Sequence, residues 1–356
     1  MLYDPPKWLF FFFIISSTFL SGCEQLRKGP APSTQPPDGG TEMPDEAQPK
    51  TDAGPETLPP IHFAFTVHLE GHALATEEAV TRYFDNIQAY ADLAIEHGLP
   101  ATWEVRNILD HLEADTNHLL LTLQAEGHGV GFHADSGGSR MNQAQFELDL
   151  QEGANSLRDL GITAHHVSGI CSDKDWVTAA STANFKAVTG IVDYCLKSMP
   201  QADQPAHVRD CTNPANCHDP YAYEPSEALF VWKAENGSNW PTPQEEGVLM
   251  IPSSGTITCA AERADPAVTS PTGCDFQDND VTTVLDYIDE ALTHREPGRF
   301  HQLTFVWSYG GSIPMGRFKS LLEGIQTRTE TGELYPVTTP QMMLKYEQHL
   351  GNMAAD

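Results

Sequence analysis

Basic residues are scarce in this chain of 356 residues. Lys and Arg number 20 against 49 Asp and Glu, a formal net charge of −29, and the acidic surplus is spread along the sequence rather than gathered in a tail. Such a surface repels nucleic acid and anionic lipid, so polyanion binding is disfavoured and no nucleic-acid partner is expected. Several chemical signatures are also missing. There is no internal repeat, no Gly-x-Ser-x-Gly nucleophile turn and no phosphate-binding Gly-rich loop; the G-x-G element at Gly129 continues as a strand instead of opening a helix. Neither Cys211/Cys217 nor Cys259/Cys274 has the two-residue spacing of a zinc knuckle.

What is present begins at the N-terminus. Lys7 precedes an apolar run from Trp8 to Ile15, extended by small residues to Leu20. The run falls short of the roughly 20 apolar residues that span a bilayer and has the layout of a secretory signal. It ends in Leu20-Ser21-Gly22-Cys23, which resembles the lipobox of bacterial lipoproteins, whose Cys is diacylated and becomes the new N-terminus. Residues 1–22 are thus expected to be the signal, and Cys23 the lipidated residue that makes the membrane a partner. Glu24 after the Cys resembles the sorting signal for the outer membrane, so the expected location is the cell envelope.

Residues 23–60 are rich in Pro, Gly, Ser, Thr, Asp and Glu and almost free of large apolar side chains, the composition of a flexible linker. The folded domain is expected over 61–356. Apart from Cys23, six of the seven cysteines remain, an even set that in an exported protein reads as disulfides. Cys171 and Cys195 close successive strands that a right-handed β/α unit sets side by side. Cys211 with Cys217 and Cys259 with Cys274 close short loops, where closure entropy favours local pairing.

Short β-rich runs alternate with helical patterns, as in a parallel sheet with crossover helices. Strands are expected at 61–70, 101–106, 130–135, 165–171, 191–195, 228–232, 248–252 and 303–307. Helices are expected at 77–97, 107–126, 142–160, 176–188, 281–294 and 317–327. Residues 200–225 and 260–280 read as insertions stapled by the two close Cys pairs. Strand alternation assigns faces. Ile61, Phe63, Phe65 and Val67 suit packing under helices, while His62, Ala64, Thr66, His68 and Glu70 share the other face. The same reading groups Thr102, Glu104 and Arg106, and His133 with Asp135. In an α/β barrel the C-terminal strand ends build the active site, so several strands deliver His and carboxylate groups to one rim.

At these residues the chain resembles the NodB-homology polysaccharide deacetylases, carbohydrate esterase family four. Phe65-Thr66-Val67-His68-Leu69-Glu70-Gly71 looks like the opening T-F-D-D-G strand of that family, and Pro100-Ala101-Thr102-Trp103 like its second strand. Gly127-His128-Gly129-Val130-Gly131-Phe132-His133 resembles the segment G-H-E-I-G-N-H, whose last His is a metal ligand. His166-Val167-Ser168-Gly169 stands where R-x-P-x-G falls, and 337–343 resembles the closing strand and helix. The resemblance implies a distorted (β/α)7-type barrel, here with disulfide-stapled insertions, that removes acetyl groups from a glycan with a divalent metal. It places the metal carboxylate at Glu70 and the first metal His at His133. The second metal His falls at Gly137, the first Asp of the opening motif at Leu69, and the last strand reads Phe305-Val306-Trp307-Ser308 without the acid His.

A hydrolytic ion needs about three protein ligands and one open position. His68, Glu70 and His133 supply such a set, with zinc the leading candidate. Asp135, on the face of His133, is the candidate general base, and Asp173 or His166 could orient it or act as acid. His128 and His72 read as structural and solvated, respectively. The competing class is a glycan-binding lipoprotein that kept the barrel without the metal, to which Trp232, Trp240 and Trp307 would contribute.

Overall fold

The computed structural model describes residues 58–70, 74–112, 118–136, 141–212, 214–265, 274–309 and 313–353. The signal, Cys23, nearly all of the linker, His72 and Gly137 lie outside them.

Ten strands form one sheet: β1 Ile61–Leu69, β2 Ala101–Val105, β3 Gly129–His133, β4 His166–Ser168, β5 Ala187–Ile191, β6 Trp232–Ala234, β7 Val248–Pro252, β8 Gly255–Thr256, β9 His301–Ser308 and β10 Leu334–Pro336. β1 lies between β2 and β9, and pairing continues in parallel through β3, β4 and β5 to β7. β7 and β8 are separated by Ser253 and Ser254 alone, and β8 pairs with β9. That continuous run joins the two ends of the sheet and closes it into a distorted barrel. The seam is held by Ser254 N–H to Thr304 O at 2.7 Å and Ile257 N–H to Val306 O at 3.0 Å. Among the described residues β6 is the one antiparallel strand, on the outer edge of β7.

Helices cover the outside of the mainly parallel sheet, so its outward-facing positions are apolar, while buried polar groups such as Thr66, Thr102, Glu104, Ser168 and Thr304 occupy the inside. Ile61, Phe63, Phe65, Val67 and Leu69 are all buried against the helical layer. Inside, Ala64, Ala187, Leu249 and Ile251 pack with Phe300, Val337 and Met342, so the C-terminal helix Thr339–Met353 plugs the N-terminal end. Polar interior groups therefore collect toward the opposite mouth.

Helices over Glu77–Glu96, Gln143–Asp159, Asp278–Thr293 and Met315–Thr329 match the expected ones within a few residues. The first is capped by Thr76, whose hydroxyl accepts from Ala79 N–H, and the second by the reciprocal Asn142/Gln145 box. The helix expected over 107–126 reduces to a turn at Leu109–His111 and a helix at Leu119–Ala125. That over 176–188 ends at Thr182, because Asn184 takes φ 68°, and Ala187–Ile191 is β5. This strand is nearly all buried, and its five residues are too few to show a period that separates it from a buried helix. The strand expected at 191–195 gives way to a 3-10 turn at Asp193–Ser198, and the one at 228–232 to the end of a short helix, Pro225–Ala228, with β6 following.

The disulfides are Cys171–Cys195, Cys211–Cys217 and Cys259–Cys274, the pairing expected, with Cα separations of 4.3, 6.4 and 4.8 Å.

Candidate metal centre and pocket

Strand register assembles the site. His68 on β1 is the direct partner of Glu104 on β2, and Glu104 is the partner of Gly131 on β3. A Cβ on Gly131 would lie 2.1 Å from His166 Nε2. Glycine at that position therefore makes the space through which the imidazole of His166 reaches Glu104 Oε1, at 3.2 Å. His68 Nε2 stands 3.0 Å from Glu104 Oε2. Neither nitrogen has the alignment of a hydrogen bond to a partner among the described residues. The carboxylate is instead bonded by hydroxyls: Thr189 Oγ1 donates to Oε1 at 2.7 Å and Ser168 donates to Oε2.

Glu104 is fully buried. Burial alone would raise its pKa; the adjoining His166 and His68 imidazoles outweigh that and hold it ionised, well below the usual carboxylate range. His133 completes the group. Its ring stacks on that of His68 with centroids 4.1 Å apart, and its Nδ1 lies 2.8 Å from Ser168 Oγ. Because the Ser168 proton is directed at Glu104, Nδ1 must donate to Ser168. The lone pair of His133 is then on Nε2. Burial, followed by the neighbouring His68, pushes the His133 pKa well down, so the ring is neutral as a ligand requires.

One ligand atom from each of His68, Glu104 and His133 falls within 4.8 Å of the others. Donor atoms on a tetrahedral zinc-like ion are about 3.4 Å apart, so the set fits a divalent cation after a small contraction. His68 Nε2, buried and without an aligned partner, supports that fit. Ser168, Thr189 and His166 supply the outer hydrogen bonds and contacts that orient such ligands.

His68 and His133 open onto a cavity of about 300 Å³, with Glu104 buried behind them; Glu70, Asp135, Gly169, Tyr194, His218 and Ser308 also line it. Glu70 stands outside the cluster, 4.0 Å from His133 Nε2; the carboxylate that joins the two imidazoles is Glu104. Asp135 is exposed on the cavity rim with φ 44°, a backbone state uncommon for a residue with a side chain. Its turn is tied to the end of β4 by Ala134 N–H to Ser168 O and Ser136 N–H to Gly169 O, both 2.9 Å. Gly169, at φ 65°, is needed there, since a Cβ would sit 2.8 Å from Asp135 N and 2.9 Å from His133 Cε1.

Three expectations change. His166 is fully buried beneath Glu104 and does not reach the mouth, so it supports the carboxylate and cannot serve as an acid to substrate. Asp173 is exposed, pairs with Lys174 and does not line the cavity. Arg106 does not share the inner face with Glu104. It lies past the end of β2, pairs with Asp149 at 2.9 Å and sits over the Phe132 ring. Of the tryptophans, Trp240 and Trp307 are fully buried and not available to stack on sugars, whereas Trp232 is half-buried and donates to Trp240 O at 2.7 Å.

His128 is structural in geometry. It is buried, and its Nδ1 accepts the Ala101 N–H at 3.0 Å, fixing the start of β2. His128→Ala is expected to cost about 1–3 kcal/mol by orphaning that amide while divalent-ion affinity stays within a factor of two or so of wild type. His133→Ala should abolish ion binding and cost about 1–2 kcal/mol, the loss of one buried hydrogen bond to Ser168 and of the stacking on His68. Paired urea denaturation and ion titration check this, and equal loss of binding in the two variants would reverse the assignment.

Neither a protein-family model nor a curated protein matches the sequence. Solved structures do match the fold. A protein assigned as a polysaccharide deacetylase from Mycobacterium smegmatis is 12% identical with a TM-score of 0.52, over 83% of this chain and 93% of its own. One from Pseudomonas aeruginosa PAO1 is 11% identical with a TM-score of 0.53, over 81% and 91%. PuuE allantoinase is 12% identical with a TM-score of 0.52, over 79% and 88%. At such identities the likeness concerns architecture: this chain has the NodB-like barrel found in polysaccharide deacetylases.

Proposed function

We propose that this protein is a metal-dependent hydrolase that removes acetyl groups from a glycan. The observation that carries the reading is the His68–Glu104–His133 cluster, whose two imidazoles open onto a cavity at the C-terminal mouth of the barrel, where α/β barrels do their chemistry. These three residues would hold a divalent ion, which when bound polarises a carbonyl and lowers the pKa of water. Asp135 on the rim accepts the proton from the attacking water. His133, fixed through Ser168, and Glu104, fixed through Thr189, keep the ligand geometry rigid. Glu70 adds a second carboxylate beside His133.

A glycan-binding barrel without chemistry is the competing reading, favoured by the departures at Leu69 and Gly137 and weakened by the burial of Trp240 and Trp307. Elemental analysis of the purified protein, with acetate release from acetylated xylo- and chito-oligosaccharides, separates the two. We expect about one divalent ion per chain and chelator-sensitive acetate release. An ion-free protein that stays inert with added zinc or cobalt sinks the enzyme reading.

We further propose that the mature chain is a cell-envelope lipoprotein anchored at Cys23 on the outer membrane. The three disulfides suit an oxidising compartment, and Cys23→Ser should release the protein from the membrane fraction.

A further inference from the structure

A second cavity, of about 230 Å³, adjoins the first and shares with it His68, Gly190, Val192, His218 and Ser308. It is walled by the closing seam of the barrel and by the segment after the Cys259–Cys274 staple begins. Besides the shared His68 and His218 imidazoles, its polar lining consists of the hydroxyls of Ser253, Thr256, Thr258 and Ser308 and the guanidinium of Arg263. Among the described residues no other Lys or Arg lines either cavity, on a chain whose net charge is −29.

Arg263 is held but not used up. Its Nη1 donates to Asp219 Oδ1 at 2.7 Å, and Asp219 is largely in solvent. Its Nε is buried with no hydrogen-bond partner among the described residues. A guanidinium offers five donors in a planar fork that matches a carboxylate, and an unpaired buried N–H is costly unless a ligand answers it. A partner of opposite charge therefore fits. The charge of the whole molecule selects among such partners, because a densely anionic polymer would be repelled from the mouth.

We propose that this cavity is a carboxylate subsite: Arg263 and the hydroxyls of Thr256, Thr258 and Ser308 receive the acid group of a sugar neighbouring the one whose acetyl group lies over His68, Glu104 and His133. The substrate is then a mainly neutral glycan carrying isolated carboxylates. The inference deepens the hydrolase reading and rests on it for the acetyl half alone.

Binding to the full mature protein, treated with chelator so that nothing turns over, tests the subsite by calorimetry. One pair of probes is xylotetraose with and without a glucuronic acid branch; the other is the N-acetylglucosamine–N-acetylmuramic acid disaccharide against chitobiose. We expect roughly tenfold or more tighter binding of the acidic member of at least one pair, the pair naming whether the carboxylate is a uronic or a lactyl one. Arg263→Gln should bind both members alike. Asp219→Asn, which frees the guanidinium of its internal partner, should widen the difference. Should Arg263→Gln not fold, Asp219→Asn and the shrinkage of the preference with added salt decide.

Wild type without preference in either pair, or Arg263→Gln with the preference intact, overturns the subsite. Acetate release without any preference would defeat the subsite alone, whereas a clear preference without acetate release would defeat the hydrolase reading alone.

Discussion

Glu104→Ala is expected to abolish divalent-ion binding and to lower stability by about 3–5 kcal/mol, the range for removing one partner from a buried charged network. The size follows from what is left behind. The Ser168 and Thr189 hydroxyls lose their acceptor, and the His68 and His166 imidazoles are left beside a void inside the barrel. Glu104→Gln keeps the volume and one acceptor oxygen, so it should fold, yet it should lose more than about 100-fold in ion affinity, beyond the 10–100-fold typical of an outer-shell change. Glu70→Gln should lose less. Urea denaturation and ion titration of the three variants give the ranking, and wild-type affinity in Glu104→Gln would return the ligand role to Glu70.

Acidification is expected to destabilise the domain through His301, at the other end of the barrel. This ring is fully buried, and its Nε2 accepts the Glu296 N–H at 2.9 Å. Protonation would both charge the ring and replace the acceptor with a donor. Burial, then Arg299, lowers the pKa from 6.5 to about 4; nearby Glu296 opposes this, while Arg295 and His62 add to it. A folded pKa below the unfolded one means that the unfolded chain binds the proton first. Stability is therefore full above about pH 6.5, falls as pH drops through the window, and is spent near pH 4, a loss of about 3 kcal/mol. His62 and His128 are lowered as well and act in the same direction. Glu104 does not interfere, since its depressed pKa keeps it ionised until the pH falls below the carboxylate range. His301→Gln should remove about that much of the loss between pH 7 and 4 in denaturant titrations. An unchanged slope would refute the assignment.

Much of this was legible in β1. Period-two alternation identified which of its residues face inward, and the same rule put Glu104 on the inner face of β2. What one strand's alternation cannot supply is the neighbour across the gap. Glu70 follows His68 along the chain, but Glu104 is the register partner of His68, so the carboxylate nearest in sequence is not the one nearest in space. An acidic residue in the middle of Ala101–Val105, with Trp and Val beside it, was the available signal. His166 was misplaced for a related reason: read as part of a strand ending at residue 171, it gave no hint that β4 starts there and leaves it at depth. His218 and Arg263 come from insertions, where no period assigns a face. The disulfides were readable because chain proximity and strand adjacency carry the geometry by themselves.

The two-residue join between β7 and β8 has a consequence for motion. Along β1 and β9 an eight-residue ladder must part together, whereas β8 pairs with β9 over Gly255 and Thr256, flanked by the bonds of the Ser254 and Ile257 amides. Local opening costs least where the fewest ladder bonds resist it. The β8–β9 ladder is as short as those of β3 with β4 and β4 with β5, and it alone of the three borders the second cavity, through Ser253, Gly255 and Thr256. Whatever fills that cavity therefore packs against the seam that closes the barrel and would oppose its local opening.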